Sequence, residues 1–286
     1  AHMYTYSFRG NAEWSHRFAR GAEIQQYFQQ VADEQGVSGQ IRYNEALEQC
    51  HYVDGKWQLG TSKGNHLEVD FVVSATGILH HPAYPDIQGL DSFKGDMWHT
   101  ARWNHDVDLA GKRVGIIGTG STACQVIGEI GKTAGQLTVF QRTPQWIIRV
   151  PDKTYTDDDK SRLLGKQERL AALSRRYAFV LRNTFSKAVT GSKLQHAYLS
   201  WMAKRNLRRS VRDPELRKKL TPDYPVGCKR LIINSTFYDA VQRDTVTLET
   251  TAIERICESG VVTTDGVTHE LDVLVLATGF HPFNFM

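Results

Sequence analysis

The sequence predicts an α/β fold in which a mostly parallel sheet with flanking helices carries a helical insertion. Three observations support this prediction. A buried strand at Arg113–Ile117 is followed by a glycine-rich turn and then by an amphipathic helix. A second buried strand follows at residues 137–141. Residues from about 156 to 220 show strongly charged helical patterns and no strand pattern. Alternation of strand, helix and strand is typical of a parallel sheet.

The composition is that of a globular chain with a small excess of positive charge. The 286 residues are 41% hydrophobic and 23% charged, and 35 Lys and Arg against 31 Asp and Glu leave a net charge of +4. No apolar run approaches the roughly 18 residues that predict a membrane-spanning helix. A mildly basic chain fits a phosphate-bearing ligand, whereas nucleic-acid binding is typical of stronger basic patches. We therefore expect neither a membrane nor a nucleic acid as partner.

The cysteines exclude two kinds of site. They are Cys50, Cys124, Cys228 and Cys257, and no two of them form a C-x-x-C pair. A zinc ribbon and a thioredoxin-type redox motif both need such pairs, so we predict no metal site. Separated thiols are typical of the reducing cytoplasm, which is the expected location. Residues 1–3 have the sequence Ala-His-Met, which we interpret as the remainder of an expression tag.

The first 77 residues predict one helix followed by a β-meander. Residues 14–37 carry apolar side chains at near-helical spacing, and a glycine follows the last turn. Residues 41–73 alternate in short runs, which are broken by Asp54-Gly55 and by Lys63-Gly64-Asn65. Both breaks are hairpin turn signals. Residues 70–77 then predict a buried strand with an Ala-Thr-Gly ending.

Strands are again predicted after the helical insertion. Residues 248–256 and 260–267 predict a hairpin around Glu258-Ser259-Gly260. Residues 272–279 repeat the earlier pattern of a buried strand that ends in Ala-Thr-Gly. Small residues at a strand end indicate that backbone passes close to another group.

The turn after Arg113–Ile117 has the spacing of a dinucleotide-binding motif. Gly118, Gly120 and Ala123 occupy the positions G-x-G-x-x-A between the predicted strand and helix. In a Rossmann-like domain the first glycine makes the turn, the second admits the pyrophosphate, and the third small residue lets helix and strand pack. The pyrophosphate lies on unpaired N–H groups at the helix N-terminus. We predict cofactor contacts at Gly118, Thr119, Gly120, Ser121, Thr122 and Ala123, the alternative being a glycine turn that binds nothing.

The residue at the end of the second strand indicates which dinucleotide is bound. An NAD site places an acid there to hold the ribose 2′-hydroxyl, whereas an NADP site tolerates a cation. This chain has Arg142, and Thr143 follows with a hydroxyl donor. A guanidinium can bind a phosphate with two hydrogen bonds. We predict NADPH over NADH, the alternative being that Arg142 is an ordinary surface arginine.

A family resemblance rests on residues 93–104, which read FKGDMWHTARWN. They resemble the F-x-G-x-x-x-H-x-x-x-W motif of the Baeyer–Villiger branch of class B flavoprotein monooxygenases. The matching positions are Phe93, Gly95, His99 and Trp103, with Thr100 a looser match. Asn104 departs from the proline or aspartate usual in the family, which weakens the case for strict Baeyer–Villiger chemistry against the broader monooxygenase group.

Other segments extend the resemblance over nearly the whole chain. Residues 4–31 look like the segment beyond the family's first flavin motif, and residues 224–230, YPVGCKR, are similar to its loop ending in Lys-Arg. The two Ala-Thr-Gly endings resemble the crossings between the flavin and NADP domains. The resemblance implies that residues 1–77 are part of an FAD-binding domain. It also implies that residues 78–277 are an NADP-binding domain with an insertion at about 151–225, and that residues 278–286 return to the flavin domain.

The resemblance also implies a function and roles for individual residues. A Baeyer–Villiger monooxygenase uses NADPH, FAD and O2 to insert one oxygen atom beside a ketone carbonyl through a flavin peroxide. Arg230 matches the arginine that stabilises this anion, and is the expected catalytic residue. Lys229 matches the lysine that binds the 2′-phosphate together with Arg142 and Thr143. His99 and Trp103 belong to a motif that couples cofactor position to domain movement.

Alternatives remain open. A complete member of the family begins with its own G-x-G-x-x-G for FAD, and no such spacing precedes Gly118. We therefore expect a shortened chain whose parent enzyme requires FAD. The activity could instead be oxygenation of nitrogen or of sulfur in a thioether, or the chain could be an inactive nucleotide-binding fragment. The basic residues of the segment 204–219 are interrupted by Asp213 and Glu215, which favours a solvated helix face over a binding patch.

Overall fold

The computed structural model describes residues 2–282, which fold into two compact units. The first unit contains residues 2–80, 152–178 and Pro282, and the second contains residues 81–151 and 179–281. Residues 1 and 283–286 lie outside the described part, so the predictions for the first tag residue and for the last four residues of the return segment 278–286 extend beyond it. Within residues 2–282, no helix is both long enough and apolar enough to cross a bilayer.

The described chain contains thirteen strands and eight α-helices. The strands are β1 Leu47–Val53, β2 Lys56–Thr61, β3 His66–Val69, β4 Asp96–His99, β5 Arg113–Ile117, β6 Gln136–Phe140, β7 Ile147–Ile148, β8 Ile232–Ile233, β9 Val246–Glu249, β10 Ile253–Cys257, β11 Gly260–Thr263, β12 Thr268–Glu270 and β13 Val273–Leu276. The helices are α1 Gly21–Glu34, α2 Ser121–Thr133, α3 Asp157–Ser161, α4 Gln167–Leu181, α5 Lys187–Val189, α6 Lys193–Ser210, α7 Pro214–Lys219 and α8 Phe237–Ala240. A π-helical turn, Arg182–Ser186, joins α4 to α5.

In the first unit, α1 packs through one apolar face as predicted. Tyr27 and Val31 form a buried cluster with Trp14. The helix begins at Gly21 and not at residue 14, because Ser15 donates from its backbone N and its Oγ to the Glu23 carboxylate at 2.6 and 2.7 Å. These bonds keep the segment before Gly21 out of the helix.

The predicted meander is confirmed, with β1, β2 and β3 antiparallel in that order. Asp54 and Gly55 have φ of 48° and 82°, as a tight two-residue hairpin requires. Residues 70–77, predicted as a buried strand, belong to no strand of the described chain, and Phe71 and Val73 are each 87% exposed. The prediction was wrong because a strand also needs a partner to hydrogen-bond with, and the apolar pattern does not report on that partner.

The second unit is built on a five-stranded parallel sheet with the order β4-β13-β5-β6-β9. Helix α2 connects β5 to β6, and its buried residues join the core beneath the sheet. In the register of the sheet, Leu276 of β13 lies opposite both His99 and Ile117. The carboxyl ends of β4, β13 and β5 are therefore level, and a ligand site is expected at this edge. The predicted α/β fold with a Rossmann-like domain is confirmed.

Two strand boundaries need correction. Residues 260–267, predicted as one strand, form β11 only as far as Thr263, and the chain then turns into β12. Residues 248–256, predicted as one strand, are divided between β9 in the parallel sheet and β10 in an antiparallel sheet with β11 and β12. The Glu249 carboxylate accepts a hydrogen bond from the Thr251 backbone N at 2.6 Å, which forms a turn and ends β9. The hairpin between β10 and β11 has its turn where it was predicted.

The predicted helical segment contains α3 to α7. Pro214 is the first residue of α7, and the Asp213 side chain caps this helix by accepting from the Glu215 backbone N at 2.9 Å. Proline is favoured at the first helical position because its missing N–H would be unpaired there. The short parallel pair of β7 and β8 lies beside α6, since Asn206 donates to the Ile147 carbonyl at 2.9 Å.

Candidate functional site

The turn after β5 can be made only by glycine. Gly118 has φ of +112°, and a Cβ added there would lie 2.5 Å from the Ala277 carbonyl oxygen. The Gly118 backbone N donates to the Phe140 carbonyl at 3.1 Å, which joins the ends of β5 and β6. The first glycine of the motif therefore brings three neighbouring strand ends together.

The N-terminus of α2 presents an open surface. Gly120 is the N-cap residue, and no atom lies within 4 Å of a Cβ added to it. Ser121 is half-buried and Thr122 exposed, whereas Ala123 is 1% exposed and packs into the core. The first turn contains no acidic residue. Unpaired N–H groups and the positive end of the helix dipole there attract an anion such as a pyrophosphate.

Thr119 connects the glycine turn to the loop after β6. Its side chain is buried, and its Oγ1 donates to the Thr143 carbonyl at 3.1 Å. The Thr119 carbonyl lies 3.5 Å from Cys124 Sγ, and burial raises the pKa of this thiol to about 12. Cys124 therefore stays neutral and adds no negative charge beneath the turn.

The loop after β6 presents a cation on a fixed support. Gln141 is buried, and its Nε2 donates to the Lys219 carbonyl at 2.8 Å. The next residue, Arg142, has an exposed side chain. Thr143 is half-buried and holds the hydrogen bond from Thr119. The backbone on both sides of Arg142 is thus held next to the glycine turn, and the Arg142 side chain remains accessible.

Lys229 approaches the same loop from a distant part of the sequence. Its Nζ lies 4.7 Å from the centre of the Tyr224 ring, a cation–π contact. The Tyr224 hydroxyl donates to the Pro144 carbonyl at 3.1 Å, and Trp146 Nε1 donates to the Tyr224 carbonyl at 2.8 Å. The structure therefore brings the loop that carries Lys229 to the loop that carries Arg142 and Thr143.

Arg230 lies in the same loop, immediately before Leu231 and β8, and its side chain is exposed. Among the described residues, no hydrogen bond or ion pair joins Arg230 to the glycine turn. The same residues contain no group of three or more His, Cys, Asp or Glu side chains that could hold a metal ion.

His99 is buried at the carboxyl end of β4. Its Nδ1 accepts from the Ala101 backbone N at 3.1 Å, which leaves the proton of the neutral ring on Nε2. The ring packs against Tyr84 and Phe280 at centroid distances of 5.7 and 5.5 Å. Burial lowers the pKa of His99 from its ordinary value, and a backbone contact with Gly279 partly offsets this effect.

His99 packs beside two segments, residues 81–83 and 279–281, which are hydrogen-bonded to each other. The Ala83 backbone N donates to the Gly279 carbonyl at 2.9 Å, and His281 N donates to the His81 carbonyl at 2.9 Å. The second Ala-Thr-Gly ending therefore crosses beside residues 81–83. The role of His99 in coupling cofactor position to domain movement stays a prediction.

The other matching residues of the motif at 93–104 pack around β4. A Cβ on Gly95 would lie 2.4 Å from the Asp272 carbonyl oxygen, so β4 can approach β13 only with glycine there. Phe93 is buried. Trp103 is half-buried and packs edge-on against Trp98 at 5.5 Å. These residues hold β4 in the sheet.

Sequence analysis did not identify Gln145 as part of the site. Its Oε1 accepts from the Tyr224 hydroxyl at 3.0 Å, and its Nε2 donates to the Thr143 carbonyl at 3.3 Å. A signal was present, since Gln145 follows closely after the predicted cation. Its partner Tyr224 is 79 residues further along the chain, and spacing alone does not predict such a contact.

Comparison with known proteins agrees with this geometry. The family model described as flavin-binding monooxygenase-like matches residues 2–286. An uncharacterised monooxygenase of Mycobacterium tuberculosis is 42% identical over 287 residues, covering 99% of this chain and 57% of the relative. A Baeyer–Villiger monooxygenase of Streptomyces coelicolor is 37% identical over 283 residues, covering 98% of this chain and 54% of the relative.

A solved structure has the same arrangement. Oxidised steroid monooxygenase bound to NADP superimposes with a TM-score of 0.83 and 32% sequence identity, covering 98% of this chain and 61% of that protein. The chain spans about half the length of the curated relatives it matches. Because the family model extends over almost the entire sequence, the chain belongs to the flavin-binding monooxygenase-like family.

Proposed function

We propose that this chain provides the NADPH-binding part of an FAD-dependent monooxygenase that inserts one oxygen atom from O2 into a ketone. One observation carries the proposal. The open N-terminus of α2 lies next to the loop that carries Arg142, and Tyr224 joins that loop to the Lys229 side chain. A pyrophosphate and an additional 2′-phosphate need this combination of a glycine turn and nearby cations.

The residues fit NADPH at each of its charged groups. The turn from Gly118 to Ala123 would hold the pyrophosphate on backbone N–H groups, since nothing occupies the space above Gly120. Arg142, Thr143 and Lys229 would hold the 2′-phosphate. Guanidinium and ammonium groups form charge-assisted hydrogen bonds with a 2′-phosphate, and NADH has no phosphate at that position. NADPH is therefore the proposed reductant.

The proposal of FAD as a second cofactor rests on the family to which the chain belongs. Within residues 2–282, the arrangement of strand, glycine turn and helix occurs at β5 and α2, and we assign it to NADPH. FAD is proposed as a cofactor of the whole protein, where it would accept hydride from NADPH and activate O2. The net reaction takes ketone, O2, NADPH and a proton to ester, NADP⁺ and water. Arg230 is the proposed catalytic residue, since a guanidinium beside the flavin would stabilise the negative charge that develops during oxygen transfer.

Two experiments test the proposal. Calorimetric titration of the chain with NADP⁺ and with NAD⁺ should show clearly tighter binding of NADP⁺, and equal affinities would refute the assignment. Product analysis of the full-length protein with a cyclic ketone and a thioether then separates ester formation from sulfur oxygenation. The domain limits inferred from the family and a cytoplasmic location belong to the same proposal.

A further inference from the structure

Tyr224 contacts both the Lys229 side chain and the loop that carries Arg142. Both cations are exposed and belong to loops that are far apart in the sequence. A lysine ammonium sits on a flexible stem with a large rotamer entropy, so an unsupported lysine samples many positions. The Tyr224 ring lies 4.7 Å from Lys229 Nζ and restricts that freedom.

A chain of hydrogen bonds carries this support to the glycine turn. The single Tyr224 hydroxyl proton is shared between the Pro144 carbonyl at 3.1 Å and Gln145 Oε1 at 3.0 Å. Gln145 Nε2 donates to the Thr143 carbonyl at 3.3 Å. The same carbonyl accepts from Thr119 Oγ1 at 3.1 Å. The Lys229 loop, the Arg142 loop and the pyrophosphate turn are therefore joined at the Thr143 carbonyl.

We infer that Tyr224 is a positioning residue that sets the selectivity of this site for a nucleotide with a 2′-phosphate. The inference rests on the proposed function, because it assumes that Arg142 and Lys229 bind that phosphate. Tyr224 acts through Lys229: its ring holds the ammonium, and its hydroxyl fixes the ring to the loop after β6. Removal of the hydroxyl leaves the ring free to move away from Pro144, and Lys229 moves with it.

The test compares NADP⁺ and NAD⁺ binding to the 286-residue chain by calorimetry, with thermal unfolding measured in parallel. Tyr224→Phe should weaken NADP⁺ binding by about three- to tenfold, since one hydrogen-bonded anchor is lost. NAD⁺ binding should stay unchanged, and the unfolding temperature should fall by no more than about 2 to 4 °C, since a lost hydrogen bond costs about 1 kcal/mol of stability. Tyr198→Phe, at an exposed tyrosine of α6, is the matched control and should change the affinity for neither nucleotide.

A double-mutant cycle identifies the route of the effect. In a Lys229→Met background, Tyr224→Phe should have no additional effect on NADP⁺ binding, because the group it positions is gone. Equal loss of NADP⁺ and NAD⁺ affinity in Tyr224→Phe, or an undiminished effect in the Lys229→Met background, would overturn the inference. An unchanged preference for NADP⁺ in Tyr224→Phe would overturn it as well. A wild-type chain that binds both nucleotides equally would instead overturn the proposed function, and this inference with it.

Discussion

Two glycines of the same turn have different physical reasons to be glycine. Gly118 has a positive φ and faces the Ala277 carbonyl, whereas Gly120 has φ of −72° and open space around it. The fold requires the first glycine, and the proposed nucleotide requires the second. Only Gly118 could be assigned a structural cause without reference to a bound nucleotide.

Alanine substitutions should separate these two requirements. Gly118→Ala should lower the stability of the chain by about 1 to 3 kcal/mol, because it combines backbone strain with a steric clash. Gly120→Ala should leave the unfolding temperature unchanged and weaken NADP⁺ binding at least about tenfold, because its methyl group projects into the pyrophosphate position. Thermal unfolding and calorimetry measure the two effects. Full nucleotide affinity in Gly120→Ala would contradict the site.

Arg142 tests the choice between the two nucleotides. Arg142→Gln should weaken NADP⁺ binding by about ten- to a hundredfold, since a charge-assisted hydrogen bond contributes roughly 1.5 to 3 kcal/mol. NAD⁺ binding should change little. Arg209→Gln, in the exposed last turn of α6, removes the same charge at a distant position and should have no effect. A uniform loss for both nucleotides would contradict recognition of the 2′-phosphate.

For individual residues, the sequence predicts those features of the site that are set by residues close together along the chain. The Rossmann-like turn and the cation at its second strand are local patterns, and the structure places them together. The approach of the segment that carries Lys229 to this loop could be predicted only through the family resemblance. Gln145 was not predicted, because its partner Tyr224 lies on a loop that only the fold brings near.

The carboxyl end of β4 carries a buried titratable residue, His99. The folded protein disfavours imidazolium there, so the pKa of His99 lies below 6.5, the value expected for the unfolded chain. As pH falls below about 6.5, the unfolded state gains a proton that the folded state does not accept. Stability contributed by His99 is therefore complete above this pH and is lost as the pH falls.

A substitution should reveal this dependence. His99→Gln should lower the unfolding temperature at neutral pH, because the packing with Tyr84 and Phe280 changes. The further decrease between about pH 7.5 and pH 5.5 should be smaller than in the wild type. His51→Gln, in an exposed histidine of β1, should keep the wild-type pH dependence. An identical pH profile in His99→Gln would show that His99 does not titrate in this way.

The accuracy of the predicted elements follows from how local their signals are. The bounds of β5 match the prediction, because an apolar strand before a glycine turn is defined by adjacent residues. The turns of the meander match for the same reason. The strands predicted at residues 70–77 and 248–256 were wrong. Pairing with a distant strand decides whether an apolar run becomes a strand and where that strand ends.

For the whole molecule, the proposed division of labour assigns nucleotide binding to the parallel sheet and oxygen transfer to Arg230 beside a bound flavin. Arg230→Ala in the full-length protein should abolish ester formation from a ketone and leave NADPH consumption largely intact. In the proposed mechanism the arginine serves oxygen transfer and not hydride delivery, so its loss should uncouple NADPH consumption from ester formation. Parallel assays of product and of NADPH consumption test it, and retained ester formation would contradict the role of Arg230.

The central claim is that a phosphorylated nicotinamide nucleotide lies across the turn at the N-terminus of α2. A crystal structure of the chain with NADP⁺ tests this claim most directly. We predict the pyrophosphate on the backbone N–H groups of residues 118–123, and the 2′-phosphate in contact with Arg142 and Lys229. A nucleotide bound elsewhere, or a turn filled by side chains of the protein itself, would contradict the claim.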